Sequence, residues 1–300
     1  MDHAIVTSNL GCRYGAVEAL TDLTLQVETG TIFALLGPNG AGKTSTLRVL
    51  MNIIPPSSGS ATVLGVDSRR LGSDEFTTIG YVSENQHIPQ WMTVDQLLAF
   101  CRPLYSTWDD ALGNTLVEQF DLPRDVRIGR MSRGMRVKAA LVSSLAYRPR
   151  LLVLDEPFSG LDPVVRDDLV RGVLERAGEE QWTVLISSHD LDEVERLVDS
   201  VGFIDGGRLV LSERFSDLHA RFRRIDVTAG DWPLAPPAQA TWLGVQRSGR
   251  LLRIIESQYV EGETERRIAT MAPDAVIDVQ PMTLREIFIA LARRQREVSR

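Results

Sequence analysis

The stretch Ile32-Phe-Ala-Leu-Leu-Gly-Pro-Asn-Gly-Ala-Gly-Lys-Thr44 joins an apolar run to a glycine-rich loop. The loop, Gly37–Thr44, fits the pattern G-x-x-x-x-G-K-S/T, and a helix-forming stretch at Ser45–Met51 follows it. Glycines let backbone N–H groups turn inward around a phosphate, while the start of the helix presents its positive end to the same charge. A strand, this loop and a helix in that order predict an α/β fold with a nucleotide-phosphate site.

Each residue of this loop has an expected role at a bound nucleoside triphosphate. We expect Lys43 to reach the β- and γ-phosphates and the Thr44 hydroxyl to ligate Mg²⁺. A chance glycine-rich turn is the alternative, and the position of the loop between a strand and a helix argues against it. The predicted nucleotide contacts are Gly37, Pro38, Asn39, Gly40, Ala41, Gly42, Lys43, Thr44 and Ser45.

A second motif, Leu151-Leu-Val-Leu-Asp-Glu156, is an apolar run that ends in two carboxylates. An Asp at the tip of a buried strand beside a phosphate loop can hold hydrated Mg²⁺, so Asp155 is a predicted metal ligand. We expect Glu156 to point to the other side of an extended chain and to act as general base on the attacking water. The alternative is that both acids merely cap a strand. Together with the loop, they predict hydrolysis.

Short apolar runs alternate with stretches of helical periodicity, which favours a buried, largely parallel sheet. The runs are Ile32–Leu36, Ile79–Ser83, Leu151–Asp155, Thr183–Ser187 and Val201–Asp205. Ser132 could cap a helix with Val137, Ala140, Leu141, Ser144 and Leu145 on its apolar face, and a further helix should begin after Asp162, at Pro163. Gly206-Gly207 is typical of a hairpin turn.

The composition excludes several classes of protein. A net charge of −7 argues against a general grip on DNA or RNA, which draws on cationic patches. No segment reaches the roughly 18 apolar residues of a spanning helix, and the first residues lack a leader pattern, so we expect the chain to be neither exported nor membrane-spanning. Cys12 and Cys101 cannot make a disulfide framework and are predicted to be reduced core thiols.

The character of the chain changes near residue 220. Pro and Ala gather at Trp232–Ala240, which we interpret as a linker or loop, and strand-like stretches follow at Thr241–Gln246 and Leu251–Ile255. A last helix is predicted from Thr283, because Thr283 and Glu286 have the spacing of a capping box. These features predict a small α+β appendage at 219–300.

The order of motifs between residues 4 and 218 resembles the ATP-binding cassette (ABC) family. Gly129-Arg-Met-Ser-Arg-Gly-Met-Arg136 resembles its signature, Leu151–Glu156 its Walker B strand and Pro157-Phe-Ser-Gly-Leu-Asp162 its D-loop. His189, after the run Thr183–Ser188, resembles the switch histidine. Tyr14, before Gly15, resembles the aromatic residue that stacks on adenine.

This resemblance implies an α/β P-loop NTPase domain at residues 1–218, with a parallel sheet core, an antiparallel β subdomain and a helical subdomain at about 86–148. It also implies an ATP-hydrolysing subunit that forms a homodimer around two ATP molecules and drives separate transmembrane permease subunits. Such a subunit would be cytoplasmic, peripheral on the membrane. Each ATP would lie between the phosphate loop of one copy and the signature of the other.

The resemblance also implies roles for individual residues. Ser132 and Gly134 would bind the γ-phosphate of the nucleotide held by the other copy, although Ser132 alone would more often be only a helix cap. His189 would contact the γ-phosphate and position Glu156, which makes Lys43, Glu156 and His189 the predicted catalytic set. Asp162 would lie at the dimer seam and can also cap the helix after it.

Two departures from the family pattern need attention. The signature usually reads Leu-Ser-Gly-Gly-Gln, and here it is Met131-Ser-Arg-Gly-Met135, a form similar to the ABC-2 branch of drug, antibiotic and polysaccharide exporters. At the Q-loop, Glu84 stands where many relatives carry Gln. We expect Glu84 to lie near the metal, with Thr44 and Asp155 as the other ligands. Gln86 is the alternative.

The aromatic residues Trp91, Phe100, Tyr105 and Trp108 follow the Q-loop and resemble the surface that receives a coupling helix from a membrane subunit. Several of them are expected to be core, and Trp91 is the best candidate for an exposed contact. Two rival functions stay open at this point. One is a soluble ABC-type ATPase that acts on ribosomes or DNA, and the other is an assembly module without catalysis.

Overall fold

The computed structural model describes residues 2–83, 86–229 and 240–298. The chain divides into two compact units, residues 1–190 with 197–212 and residues 191–196 with 213–300. Glu84 and residues 232–239 of the predicted linker lie outside the described residues.

The strands of the described residues follow the chain in this order: β1 His3–Tyr14, β2 Val17–Leu23, β3 Gln26–Glu28, β4 Ile32–Leu36, β5 Ser58–Val63, β6 Val66–Asp67, β7 Ile79–Ser83, β8 Leu151–Asp155, β9 Thr183–Ser188, β10 Ser200–Asp205, β11 Arg208–Arg214, β12 Arg223–Thr228, β13 Trp242–Ser248, β14 Leu251–Glu256 and β15 Val276–Pro281. The α-helices are α1 Lys43–Leu50, α2 Ser73–Phe76, α3 Val94–Cys101, α4 Asp110–Gln119, α5 Arg133–Leu145, α6 Pro163–Glu180, α7 Leu191–Val194, α8 Phe215–Arg221, α9 Glu263–Met271 and α10 Leu284–Val298. Single 3-10 turns lie at Ser68–Arg70, Arg102–Leu104 and Ile128–Arg130.

The central sheet of the first unit has the strand order β11-β10-β4-β9-β8-β7. Strands β10, β4, β9, β8 and β7 are parallel, and β8 and β9 are buried along their whole length. Continuous apolar runs of this kind are covered on both faces, so the predicted parallel sheet is confirmed. The register places Asp155 beside both Ser83 and Ser187, which brings the carboxyl ends of three strands to one edge.

The amino-terminal strands form a second, antiparallel sheet. Its strand order is β2-β1-β5-β6, and β3 also pairs with β1. Its inward side chains share one core cluster with the central sheet, including Ile5 and Leu20 from the first and Leu35 and Leu185 from the second. The loop after β10 also follows expectation, because Gly206 and Gly207 both have positive φ and turn the chain into β11.

The helices α3, α4 and α5, which follow β7 and precede β8 in the chain, begin at side-chain caps. Thr93 and Gln96 form a capping box at α3, and Asp109 caps α4. Ser132 caps α5 by accepting a hydrogen bond from Met135 N at 3.2 Å. The predicted apolar face of α5 is buried, at Val137, Ala140, Leu141, Ser144 and Leu145.

The second unit contains a four-stranded antiparallel sheet in the order β13-β14-β12-β15. Its core holds one fully buried acid, Glu256, which accepts hydrogen bonds from Trp242 Nε1 at 3.1 Å and from Arg267 Nη2 at 2.6 Å. The predicted capping box at α10 is present, because Thr283 and Glu286 exchange side-chain to backbone hydrogen bonds. Both of these bonds are to Oε2, and Oε1 accepts a hydrogen bond from Gln258 N at 2.9 Å, so both oxygens of the buried acid have partners.

No helix in the described part of the chain has the length and apolar character needed to cross a membrane. Both cysteines are free, with Cys12 buried and Cys101 only half-buried, so Cys101 is less of a core residue than expected.

Candidate functional site

The phosphate loop is shaped by close backbone packing. Gly40 and Gly42 have φ of 80° and 112°, a region that side chains disfavour. A Cβ at Gly42 would lie 2.8 Å from Ala19 O, and one at Gly37 would lie 2.2 Å from Ile204 O. Only glycine fits at these two positions, so the loop turns sharply before α1 begins at Lys43.

Lys43 is the central cation of the loop. It is only 5 % exposed, and its Nζ donates to Gly37 O at 2.7 Å and to Pro38 O at 3.2 Å. The same ammonium pairs with Glu156 Oε1 at 3.0 Å. The two carbonyls therefore hold the Lys43 ammonium inside the loop, and the Glu156 carboxylate neutralises its charge. The oxygens of a bound phosphate could replace this carboxylate as its partner.

Asp155, at the end of β8, lies next to the loop and is 5 % exposed. Its Oδ1 accepts hydrogen bonds from Thr44 Oγ1 at 3.1 Å and from Ser187 Oγ at 2.8 Å. Burial raises the pKa of the Asp155 carboxyl above its usual range, against the lowering effect of the two hydroxyls. A cation beside this carboxylate would offset that burial cost.

The oxygens of Thr44 and Asp155 fit a magnesium ion. Mg²⁺ prefers octahedral oxygen ligands at about 2.0–2.1 Å, few of them carboxylates, so neighbouring ligands are about 3 Å apart. Thr44 Oγ1 and Asp155 Oδ1 are 3.1 Å apart. Ser187, which the sequence reasoning missed, supports the carboxylate from the neighbouring strand. Its only sequence signal is a pair of serines at the end of β9.

Glu156 differs from its expected conformation. We expected extended backbone, whereas its φ is +49°, in the left-handed region. The cause is a turn directly after β8, in which Glu156 N donates to Ser187 Oγ at 3.0 Å and Glu156 O accepts from Ser159 N at 3.2 Å. This turn, rather than strand alternation, directs the carboxylate to Lys43.

His189 follows β9 and completes the cluster. Its Nδ1 lies 2.7 Å from Glu156 Oε2, while Oε1 of the same carboxylate faces Lys43. Because an ionised carboxylate only accepts hydrogen bonds, Nδ1 carries the proton in this contact. The ring is 43 % exposed, so it is open to a ligand on its other side. We call Lys43, Thr44, Asp155, Glu156 and His189 the phosphate-loop network.

Two further predicted contacts lie at the edge of this network. Tyr14, at the end of β1, has an exposed ring, and its hydroxyl is 3.4 Å from Ser45 Oγ. The chain thus places the aromatic residue beside the start of α1, where a base attached to a loop-bound triphosphate could stack on it.

The signature segment, Ser132–Gly134, lies at the start of α5. Ser132 and Arg133 are exposed, whereas Gly134 is buried. A Cβ at Gly134 would lie 2.9 Å from Val165 Cγ1, so this glycine is required by packing inside its own chain. The role expected from the sequence, close approach to a phosphate, does not account for this packing. Asp162 caps α6 by accepting from Val165 N at 3.1 Å.

The Q-loop is described only in part. Gln86 N donates to Ser83 O at 3.1 Å, and the Gln86 side chain lines a cleft of about 560 Å³ together with His87, Arg133 and Arg136. Of the aromatic residues that follow, Trp91 and Phe100 are exposed, whereas Tyr105 and Trp108 are half-buried. Tyr105 stacks on Tyr147 with ring centroids 3.8 Å apart, which makes it part of the fold.

Comparison with known proteins identifies the family of this chain. Residues 20–159 match the ABC transporter family. The chain is 31% identical to the ABC transporter ATP-binding protein YtrB of Bacillus subtilis over 210 residues, 70% of this chain and 72% of the relative. It is 32% identical to the bacitracin transport ATP-binding protein BcrA of Bacillus licheniformis over 226 residues, 75% of this chain and 74% of the relative.

Solved structures agree with these relatives. A structure described as the ATP binding subunit of an ABC transporter superposes with a TM-score of 0.65 at 26% identity, covering 72% of this chain and 92% of that chain. The dimeric bacterial ABC transporter cassette MJ0796 gives a TM-score of 0.64 at 18% identity over 70% of this chain and 98% of its own length, which supports the fold alone. The chain belongs to the ABC transporter family, as an ATP-binding subunit that hydrolyses ATP.

Proposed function

We propose that two copies of this chain close around two Mg²⁺–ATP and drive separate membrane-spanning subunits at the cytoplasmic face of the membrane, in the direction of export. In this proposal residues 1–218 are the nucleotide-binding domain and residues 219–300 an accessory domain. The observation that carries it is the division of the predicted ATP ligands into two sets on different elements, the phosphate-loop network and the exposed Ser132 at the start of α5.

Binding begins at the phosphate loop. The loop N–H groups and Lys43 take the β- and γ-phosphates, and Thr44 and Asp155 hold the metal. When bound, Mg²⁺ supplies positive charge to the phosphate oxygens and to the charge that develops on them. As phosphate replaces Glu156 as the partner of Lys43, Glu156 Oε1 is released from its 3.0 Å ion pair.

Hydrolysis then uses the released carboxylate. Glu156 accepts a proton, as a general base, from the water that attacks the γ-phosphorus, while the bond from that phosphorus to the β–γ bridging oxygen breaks and ADP leaves. Its other oxygen is held by His189 Nδ1 at 2.7 Å, so the carboxylate keeps its direction while Lys43 is engaged elsewhere. His189 positions the general base, and its exposed ring would contact the γ-phosphate.

The other copy supplies the second half of the site. Ser132 Oγ accepts a hydrogen bond from Met135 N, which leaves its O–H proton to donate to a γ-phosphate oxygen. The first turn of α5 adds N–H groups and the positive end of the helix. Because the same two surfaces occur on both copies, the contact is isologous and closes as a twofold dimer. Q-loop residue Glu84 or Gln86 would join the metal side.

A membrane-subunit contact is supported by exposed apolar side chains on one part of the first unit. A cleft of about 430 Å³ is lined by Ile53, Phe76, Leu97 and Tyr105 among others. Further exposed apolar side chains add to this surface. They are Phe100 and Leu104, on elements that border the cleft, and Trp91, which is 66 % exposed. Such a surface fits a short helix of a membrane subunit.

The direction of transport is inferred from relatives. Their names include bacitracin transport, Nod factor export and daunorubicin resistance. One of these names states export and another states resistance to daunorubicin, and both fit the export direction. The Ser-Arg-Gly-Met form of the signature fits the same branch.

The membrane contact is tested by co-expression with a polytopic membrane subunit, sought first among the products of the neighbouring genes. We expect Trp91→Ala to lose most of the ATPase stimulation by that subunit and to lower co-purification, with unstimulated ATPase unchanged. Val276→Ala, an equally exposed apolar residue in the second unit, is the control and should behave as wild type. Full stimulation of Trp91→Ala would remove the docking role, and co-purification with ribosomes or DNA instead of a membrane protein would contradict the transporter assignment.

A further inference from the structure

Arg133, which stands where the usual signature has its first glycine, packs on the D-loop of its own chain. Gly160 in that loop has φ of +67°, and a Cβ built on it would lie 2.8 Å from Arg133 Nη1, 3.3 Å from Cζ and 3.7 Å from Nη2. The guanidinium group therefore covers the face of Gly160 that a side chain would otherwise fill. A planar guanidinium suits such flat packing better than an ammonium does.

The next residue repeats this close approach. The Cβ of any larger residue at Gly134 would meet Val165 Cγ1 at 2.9 Å and Leu161 Cδ2 at 3.7 Å. Arg133 thus packs on the D-loop at Gly160, and Gly134 packs on Val165 in α6, the helix that follows the D-loop. The start of α5 cannot shift relative to the D-loop and α6 without breaking both contacts.

The D-loop is in turn joined to the catalytic glutamate. Glu156 O accepts from Ser159 N at 3.2 Å, and Phe158 O accepts from Leu161 N at 3.2 Å, so successive turns connect Glu156 to Gly160. Phe158 is buried and anchors this segment. The left-handed backbone of Glu156 persists because the turn after it is held in place.

We propose that Arg133 is a positioning residue that links the signature segment to the turn carrying Glu156. When Ser132 binds the nucleotide held by the other copy, it fixes the position of α5. The contacts of Arg133 and Gly134 then fix the position of Glu156, the general base for the nucleotide held by its own chain. This inference rests on the proposed two-copy site. Arg133 acts here through Gly160 and not by contact with ATP.

The variants Arg133→Ala, Arg133→Lys and Gly160→Ala separate this role from a charge effect. We expect Arg133→Ala to lower kcat about tenfold with KM for ATP unchanged, a size typical of coupling between residues in contact. Arg133→Lys should fall equally, since it keeps the charge and loses the flat group. If Lys restores kcat, the charge matters and the proposal is wrong. Arg127→Ala, an exposed arginine outside the signature, is the control.

A double-mutant cycle tests the contact itself. Gly160→Ala displaces the guanidinium and also strains the backbone at φ +67°, so we expect it to lower kcat in both backgrounds, and by a larger factor in the wild type than when residue 133 is already Ala. Additive effects would overturn the proposal, as would wild-type kcat in Arg133→Ala. Melting temperatures of all variants are measured to confirm that each is folded.

ATP-dependent dimer formation distinguishes failure of this inference from failure of the proposed function. In a Glu156→Gln background, Arg133→Ala should dimerise at the same ATP concentration as Glu156→Gln alone. If dimer formation weakens instead, Arg133 contacts nucleotide and the positioning role is wrong. If Glu156→Gln alone stays monomeric, the two-copy site fails, whatever Arg133 does.

Discussion

The phosphate-loop network and the signature segment satisfy their polar groups in opposite ways. In the network, Lys43 and Asp155 are almost fully buried. Lys43 is paired with Glu156, and Asp155 accepts hydrogen bonds from the hydroxyls of Thr44 and Ser187. In the signature segment, Ser132 and Arg133 are exposed, and Ser132 caps α5 by accepting one hydrogen bond from Met135 N. The phosphate-loop network already has its hydrogen bonds and ion pairs without ATP. The signature segment leaves Ser132 exposed for a contact with another molecule.

This difference has an energetic side. Burying Asp155 costs free energy, which the raised pKa of its carboxyl records, whereas exposing Ser132 costs almost nothing. We therefore expect changes in the network to alter chemistry and sometimes to stabilise the fold, and changes at Ser132 to alter association.

The largest expected effect is in the network. Glu156→Gln should lower kcat by about 10²–10⁴, because loss of a general base typically costs that much. The amide can still accept a hydrogen bond from His189 Nδ1, so ATP binding should persist. Steady-state ATPase assays and binding of a fluorescent ATP analogue measure the two properties. Glu179→Gln, an exposed acid on α6, is the control, and a normal rate in Glu156→Gln would remove its assignment.

The next effect separates the two roles of Ser132. Ser132→Ala loses both the cap and the phosphate donor, so it should destabilise the chain by about 1 kcal/mol and lower ATPase about 10- to 100-fold. Ser132→Asp keeps a good cap but sets a negative charge against the triphosphate. It should therefore melt like wild type and still be inactive. An active Ser132→Asp variant would leave Ser132 with the cap role alone.

A smaller effect, on stability, tests the cost of the buried carboxylate. Asp155→Asn should melt a few degrees above wild type at pH 7 in EDTA without nucleotide. Because the folded-state pKa of Asp155 is raised, the ionised carboxyl destabilises the fold above that pKa, and this deficit disappears as pH falls below the unfolded value of 3.8. The two proteins should thus converge in acid. Asp125→Asn, an exposed acid, should show no such difference, and an equal or lower melting temperature for Asp155→Asn at pH 7 would contradict the account.

Much of the first unit was predictable because its central strands are continuous apolar runs. All five runs became strands of the parallel sheet, and the helix caps at Ser132 and Asp162 were found from residue type and position. The antiparallel sheet was expected only from the family resemblance. Strand β1 has register shifts against each of its partners, which spoils the alternation that a sequence would display.

The structure brings several of the predicted site residues together, in a geometry that the sequence does not show. Spacing along the chain gave Lys43, Asp155 and Glu156, but the left-handed turn at Glu156 depends on Ser187, which is distant in sequence and adjacent in the sheet. The packing of Gly134 on Val165 is likewise a contact between two helices. Such features follow from tertiary packing, which no local pattern encodes.

The most direct test of the account is the mass of the Glu156→Gln variant in solution, measured by light scattering with and without saturating Mg²⁺–ATP. We expect the chain mass without nucleotide and twice that mass with it, and we expect Ser132→Asp to abolish the change. A single-chain mass at saturating ATP would contradict the claim that the phosphate-loop network and the signature segment of two copies share one nucleotide.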